Sequence, residues 1–298
     1  MKLVTFKPRE SPSPRVGVVR RDRVVDLAAA TGGRLPASLI ELIAAGRSAW
    51  SIARDVARNV HEGSALADVI LVAPIPNPRK NVFAVGRNYV EHVKEGAAAR
   101  ESEAEIPKVP VFFTKAPTTV VGPGDIPYPT ATRELDWEAE LAVVIGKGGC
   151  DIPADRALEH VFGYTAANDL SARDLQFGHR QWFKGKSLDA TCPLGPWVVT
   201  GDELGDPHQL DIECRVNGAV KQSSNTSNMI FGIPAIIESL SAGMTLEPGD
   251  VILTGTPEGV GYARKPPEFL EPGDVVEVDI PAIGVLRNTI TTGAWRGA

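Results

Sequence analysis

If the segment from Trp137 to Gly146 is extended, its side chains alternate between two faces. Trp137, Ala139, Leu141, Val143 and Ile145 then form an unbroken apolar row, while Glu138 and Glu140 project together from the other side. This period of two predicts a strand whose apolar row packs into a core and holds the acidic pair rigid. Runs rich in β-branched and aromatic residues predict further strands at 3–6, 15–19, 23–26, 82–85, 111–113, 118–121, 197–200, 210–216, 251–253 and 275–279. Turn signals separate them. Asn217-Gly218 predicts a tight hairpin, and Leu-Glu-Pro-Gly-Asp precedes a strand at both 246–250 and 270–274. Helical patterns are few: 37–46, 88–96, 171–177 and 234–242. Ser171 to Asp174 carries a capping-box pattern, and Pro234 and Gly243 suit a first turn and a stop. The expected fold class is a β-rich α+β protein, with a small N-terminal α/β domain over residues 1–72 and a larger domain over 73–298. Between them, Pro74-Ile-Pro-Asn-Pro78 reads as a linker or as an ordered edge segment.

A chain of 298 residues with 43% hydrophobic and 23% charged residues has enough apolar material for a large core. The 31 Lys and Arg against 37 Asp and Glu give a formal charge of −6, and no basic tract is present, which excludes nucleic acid as an expected partner. Charges at the N-terminus stand where a signal peptide needs an apolar run, and the longest apolar runs fall short of a membrane span. The expectation is therefore a cytoplasmic protein with no membrane partner. Cys150, Cys192 and Cys214 are scattered, predicting buried free thiols and neither a disulfide framework nor a zinc knuckle. The five histidines lack paired metal spacing, so any cation held here is expected to have oxygen ligands.

Glu138 and Glu140, about 7 Å apart at Cα, read either as a site for one hard divalent ion or as solvated residues on a polar strand face. Asp169 closes the β-like run that starts at Phe162, a position that suits both a ligand and ordinary turn chemistry. In the helical pattern after Gly86, Tyr89, His92 and Glu95 recur at i, i+3 and i+6, so His92 and Glu95 can touch. Such a pair makes a water-activating base, or a plain surface ion pair. Gly185-Lys186-Ser187 looks like the tail of a phosphate loop, but Arg180 stands where the first glycine is required. Lys186 remains either a cation beside an anionic ligand or a solvated loop residue. The glycine-rich stretch 254–261 lets backbone approach a ligand closely, yet lacks the dinucleotide fingerprint.

Taken in order, Gly86-Arg-Asn-Tyr89 with His92 and Glu95, Glu138-Ala-Glu140, Asn168-Asp-Leu-Ser-Ala-Arg-Asp-Leu-Gln176, Lys184-Gly-Lys-Ser187 and Leu253-Thr-Gly-Thr-Pro257 resemble the fumarylacetoacetate hydrolase superfamily across residues 80–290. The resemblance implies the family's mixed β-sandwich roll, assembled as a homodimer, with magnesium or manganese in each site. It makes Glu138, Glu140 and Asp169 the metal ligands and His92 with Glu95 the water-activating dyad. It places Lys186 beside a developing enolate, Gln176 and Thr256 against substrate, and Arg87 and Tyr89 in the site wall. The activity it implies is metal-dependent hydrolysis of a C–C bond in 2,4-dioxo acids of the acylpyruvate or fumarylpyruvate type. Isomerisation or decarboxylation of 2-oxo or 2-hydroxydiene dicarboxylates in aromatic degradation is the alternative, and a non-catalytic oxo-acid- or metal-binding protein is the alternative of another class. Residues 96–109, small and charged, are expected to form either a lid or an idle surface loop.

Overall fold

The computed structural model describes residues 1–9, 11 and 13–293. Its largest sheet runs in the order Ser64–Ala65, Arg23–Asp26, Arg15–Arg20, Lys2–Pro8, Cys192–Thr200, Val161–Asn168, Ala139–Ile145, Val251–Leu253, Val82–Gly86 and Val111–Lys115. Most neighbours are antiparallel, but Val251–Leu253 runs parallel to Val82–Gly86. A second sheet of five strands is ordered Ala219–Asn225, Asp211–Val216, Val275–Ile280, Gly284–Thr291 and Gly124–Pro127, the last pair parallel. Lys2 and Leu3 pair with Val199 and Val198, which carries the large sheet from the N-terminal 72 residues into the rest of the chain.

The strand Ala139–Ile145 is buried along its whole length, on both faces. Ala139, Leu141, Val143 and Ile145 point into the core shared with the five-stranded sheet, as the period of two predicts. The face that carries Glu140 continues through Ala142 and Val144 into another core, built with Leu3, Val16, Val18 and Leu42 from the N-terminal residues. The acidic pair is therefore not the start of a solvated face. It is the end of a second apolar row, at the point where that core gives way to a cavity.

Local signals explain the connections. Asn217 and Gly218 both take positive φ, +52° and +78°, as a tight primed turn requires, and join two antiparallel strands. In both Leu-Glu-Pro-Gly-Asp repeats the Asp carboxylate accepts from the Glu amide, Asp250 from Glu247 and Asp274 from Glu271, closing the same turn before a strand. The proline cluster is ordered: Ile75 is buried and Pro74 O accepts from Thr5 Oγ1 at 2.6 Å. Two expectations need correction. Ser171 and Ala172 form a short strand, and the helix begins only at Arg173 without a side-chain cap, because Ser171 Oγ donates instead to Asp169 O. Cys150 is exposed, whereas Cys192 and Cys214 are buried free thiols.

Candidate active site

The antiparallel register sets Ala139 opposite Asn168, so the next residues outward, Glu138 and Asp169, stand side by side. Asp169 N donates to Glu138 O at 2.8 Å, and Glu138 N donates to Asn168 Oδ1 at 2.9 Å, locking both strand ends. One carboxylate oxygen from each of Glu138, Glu140 and Asp169 lies within 4.8 Å of the others, and all three residues are buried. Residues far apart in sequence thus converge because two neighbouring strands end at the same edge.

Three cations pack around this cluster. Lys186 Nζ sits 2.6 Å from Glu138 Oε2 and 2.7 Å from Asp169 Oδ2. Lys115 Nζ takes the other Asp169 oxygen at 2.6 Å and also donates to Leu170 O. Arg173 donates from Nε to Asp136 and from Nη1 to Gln176 Oε1. Its Nη2 lies 2.7 Å from Glu138 Oε1, close enough for an ion pair but out of line for a hydrogen bond. Burial works to raise the Glu138 carboxyl, but Lys186, Arg173 and His92 more than offset it and hold that group well below the usual carboxylate range. Burial also works against the Lys186 ammonium, yet Asp169 and Glu138 raise its pKa.

Glu140 is different. One oxygen accepts from Gly255 N at 2.5 Å, and among the described residues no cationic side chain pairs with it. Burial, then the charges of Asp169 and Glu138, push its pKa well above the ordinary value. Gly255 has φ +100°, and a Cβ there would fall 2.7 Å from Asn88 Cβ, so glycine alone lets this amide reach the carboxylate. An all-oxygen donor set with one buried carboxylate lacking a counter-charge fits a hard divalent cation, which would neutralise Glu140.

The cluster forms one end of a cavity of about 230 Å³. One wall is the helix Val90–Ala99, which starts two residues later than the pattern predicts and extends to Ala99. His92 Nδ1 is 2.8 Å from Glu95 Oε1, and Glu95 Oε2 accepts from Gly259 N at 2.8 Å. The dyad is thus anchored to the glycine-rich loop and is not a free surface pair. Arg87, Gln176, Thr256 and Lys186 also line the cavity. Thr256 is set by Gln222, whose Nε2 donates to Thr256 Oγ1 while its Oε1 accepts from Ala139 N. Tyr89, expected in the site wall, is the N-cap of the helix and is not among the residues lining the cavity; its buried hydroxyl has no hydrogen-bond partner among the described residues. Asn88, between Arg87 and Tyr89, donates to Phe231 O and Thr254 O and accepts from Phe231 N. Ser102, Glu103 and Glu105, from the stretch read as lid or idle loop, contribute to the cavity mouth.

Sequence reasoning missed Lys115, Asp136 and the part played by Arg173. Lys115 ends the strand Val111–Lys115, where a lysine reads as a solvated strand end, yet it is fully buried. Asp136 accepts from Arg173, Gly261 and Tyr262 and so ties the glycine-rich loop to the cluster.

Residues 81–291 match the fumarylacetoacetate (FAA) hydrolase C-terminal profile. The chain belongs to the fumarylacetoacetate hydrolase family. It is 50% identical over 266 residues to the oxaloacetate tautomerase YisK of Bacillus subtilis, covering 86% of this chain and 87% of that one. Among solved structures it resembles the fumarylacetoacetate hydrolase of Exiguobacterium antarcticum (TM-score 0.80, 40% identity, 98% of this chain and 100% of that one). It also resembles the maleylpyruvate hydrolase of Sphingobium sp. SYK-6 in complex with manganese(II) and pyruvate (TM-score 0.77, 31% identity, 99% and 100% covered). The mixed β-sandwich roll is accordingly the family fold. No helix among the described residues is long and apolar enough to cross a membrane.

Proposed function

We propose that this family member is a divalent-metal-dependent tautomerase that interconverts the enol and keto forms of a small 2-oxo dicarboxylic acid of the oxaloacetate class. The observation that carries the choice of reaction is the relationship to a protein named oxaloacetate tautomerase, at 50% identity over 86% of the chain. The cavity supports it by size, being smaller than the roughly 300–1,000 Å³ typical of drug-sized ligands.

Tautomerisation moves one proton between the enol oxygen and the neighbouring carbon, with no net change in atoms. His92 is equipped for that transfer. With Nδ1–H directed at Glu95, Nε2 is the ring nitrogen left to take or give a proton, and Glu95 stabilises the imidazolium that forms. A positioned acid–base group of this kind contributes about 100- to 10,000-fold. Glu138, Glu140 and Asp169 would hold magnesium or manganese, which supplies Lewis-acid polarisation of the 2-oxo group and its carboxylate. Lys186 adds a fixed positive charge at the same end, where negative charge gathers on the oxo oxygen. Gln176 and Thr256 offer hydrogen-bonding groups along the cavity wall.

Hydrolysis of a 2,4-dioxo acid is the second reading, favoured by the likeness to a maleylpyruvate hydrolase and by the same dyad, which could activate water. One assay separates them. Loss of enol absorbance from freshly dissolved oxaloacetate is followed beside loss of acetylpyruvate, each with magnesium or manganese and again with chelator. Metal-dependent ketonisation that outpaces acetylpyruvate cleavage is the expected result; acetylpyruvate cleavage without any acceleration of ketonisation sinks the tautomerase reading.

A further inference from the structure

The cavity holds a cation that no carboxylate among the described residues pairs with. Arg87 lines it, and among the described residues its guanidinium has neither a carboxylate partner nor a hydrogen bond, in contrast to Lys186 and Arg173. Its place along the wall is set by a run of rings. Lys186 Nζ stands 5.1 Å from the centre of Phe113, Phe113 meets Trp182 edge-on with centroids 5.5 Å apart, and Arg87 Cζ stands 5.9 Å from the centre of Trp182. Phe113 and Trp182 thus form an aromatic wall that carries Lys186 and the guanidinium.

The backbone at Arg87 sharpens the point. Its φ is +57°, a left-handed conformation that glycine or asparagine adopts more cheaply than arginine. Asn88 fixes the turn through its bonds to Phe231 and Thr254, so the conformation is imposed from outside. Trp182 covers Gly86 so closely that a Cβ there would lie 2.4 Å from the ring, which leaves the next side chain to run along the indole. An arginine that strains its own backbone and, beyond the face of Trp182, has no partner among the described residues leaves its fork of N–H donors directed at a ligand.

Resting on the tautomerase reading, we propose that Arg87 is the specificity-determining residue that reads the second carboxylate of the substrate. The 2-oxo acid end lies at the Glu138, Glu140, Asp169 and Lys186 end, and the terminal carboxylate meets the guanidinium at the Trp182 end. The substrate class is then a four-carbon or similarly short 2-oxo dicarboxylate, discriminated from 2-oxo monocarboxylates of the same length.

The test compares dissociation constants for oxaloacetate and 2-oxobutyrate, four-carbon 2-oxo acids that end in a carboxylate and a methyl group. They are measured by titration calorimetry on the magnesium-loaded protein. A charge-assisted pair predicts a preference for oxaloacetate of about 10- to 100-fold in the wild type. In Arg87→Asn the preference falls to within about threefold of unity, while the melting temperature stays level or rises because asparagine relieves the left-handed strain. Arg87→Lys keeps part of the preference, since it retains the charge without the fork. Equal affinity for both acids in the wild type overturns the proposal. So does an Arg87→Asn protein that keeps the preference or melts several degrees lower, or loss of the preference in Arg100→Gln instead. Tautomerase turnover forms no part of this readout, so the ratio stands or falls separately from that activity.

Discussion

The carboxylate cluster and the helix wall of the cavity are built on opposite terms. At the carboxylate end every charged group is buried and stands on or beside a strand or short helix, and all but Glu140 are paired with opposite charges: Lys115, Lys186 and Arg173 have side-chain exposures of 0%, 2% and 2%. On the helix wall, the His92 and Glu95 side chains are 11% and 21% exposed on a single helix, and Arg100, Glu103 and Glu105 are open to solvent. Apart from Glu140, the first arrangement cannot lose a member without leaving a partner atom desolvated and unpaired. The second can be altered with little cost to folding, so the reaction can be retuned there while the oxo-acid end stays fixed.

The largest expected effect that exposes this contrast is at Lys115. Replacing it by Met strands Asp169 Oδ1 without its cation, and the chelator-treated protein should lose about 3–5 kcal/mol in denaturant unfolding. A loss below about 1 kcal/mol would mean that the carboxylate end is not the rigid half. At His92 the effect should move to chemistry: His92→Asn is expected to lower kcat about 100-fold or more, with unfolding free energy within about 0.5 kcal/mol of wild type. If the two losses exchange places, the comparison fails.

Glu140 tests the same end from the opposite direction. Glu140→Gln removes a buried charge that has no cation of its own, so the metal-free protein should be as stable as wild type or more so. It should also lose the stabilisation that saturating magnesium gives, about 2.7 kcal/mol at one hundred times the dissociation constant. A thermal-shift titration with and without chelator reads both outcomes, and an undiminished magnesium shift would remove Glu140 from the ligand set.

The smallest effect is expected at Asp174, on the short helix that also carries Arg173 and Gln176. Burial alone would raise its pKa, but bonds from Thr132 Oγ1 and the amides of Arg133 and Leu175 hold it below the ordinary 3.8. Its contribution to stability is therefore present above the unfolded pKa and is lost as pH falls through the lower folded value. Melting temperatures of wild type and Asp174→Asn should differ modestly at pH 6 and converge in the acid range below about pH 4. A gap that widens on acidification would contradict the assignment.

How far the sequence revealed this site depended on the range of the signal. Glu138 and Glu140 are visible because a strand repeats every two residues, and His92 with Glu95 because a helix returns every three to four. Asp169 is a neighbour of Glu138 only through the pairing of Ala139 with Asn168, which no local pattern encodes. The motif resemblance supplied it. Ala142 and Val144 look like the outer face of a half-buried strand until the N-terminal strands are seen to cover them. Lys115 had no local signal at all, since burying a lysine depends on an acid 54 positions further along.

Asn88 carries a consequence for how this molecule can change over time. One carboxamide braces both the Arg87 turn and the loop whose Gly255 amide holds Glu140. A descendant adapted to a different acid is therefore free to vary position 87, while an altered position 88 would disturb recognition at one end and ion capture at the other in the same step.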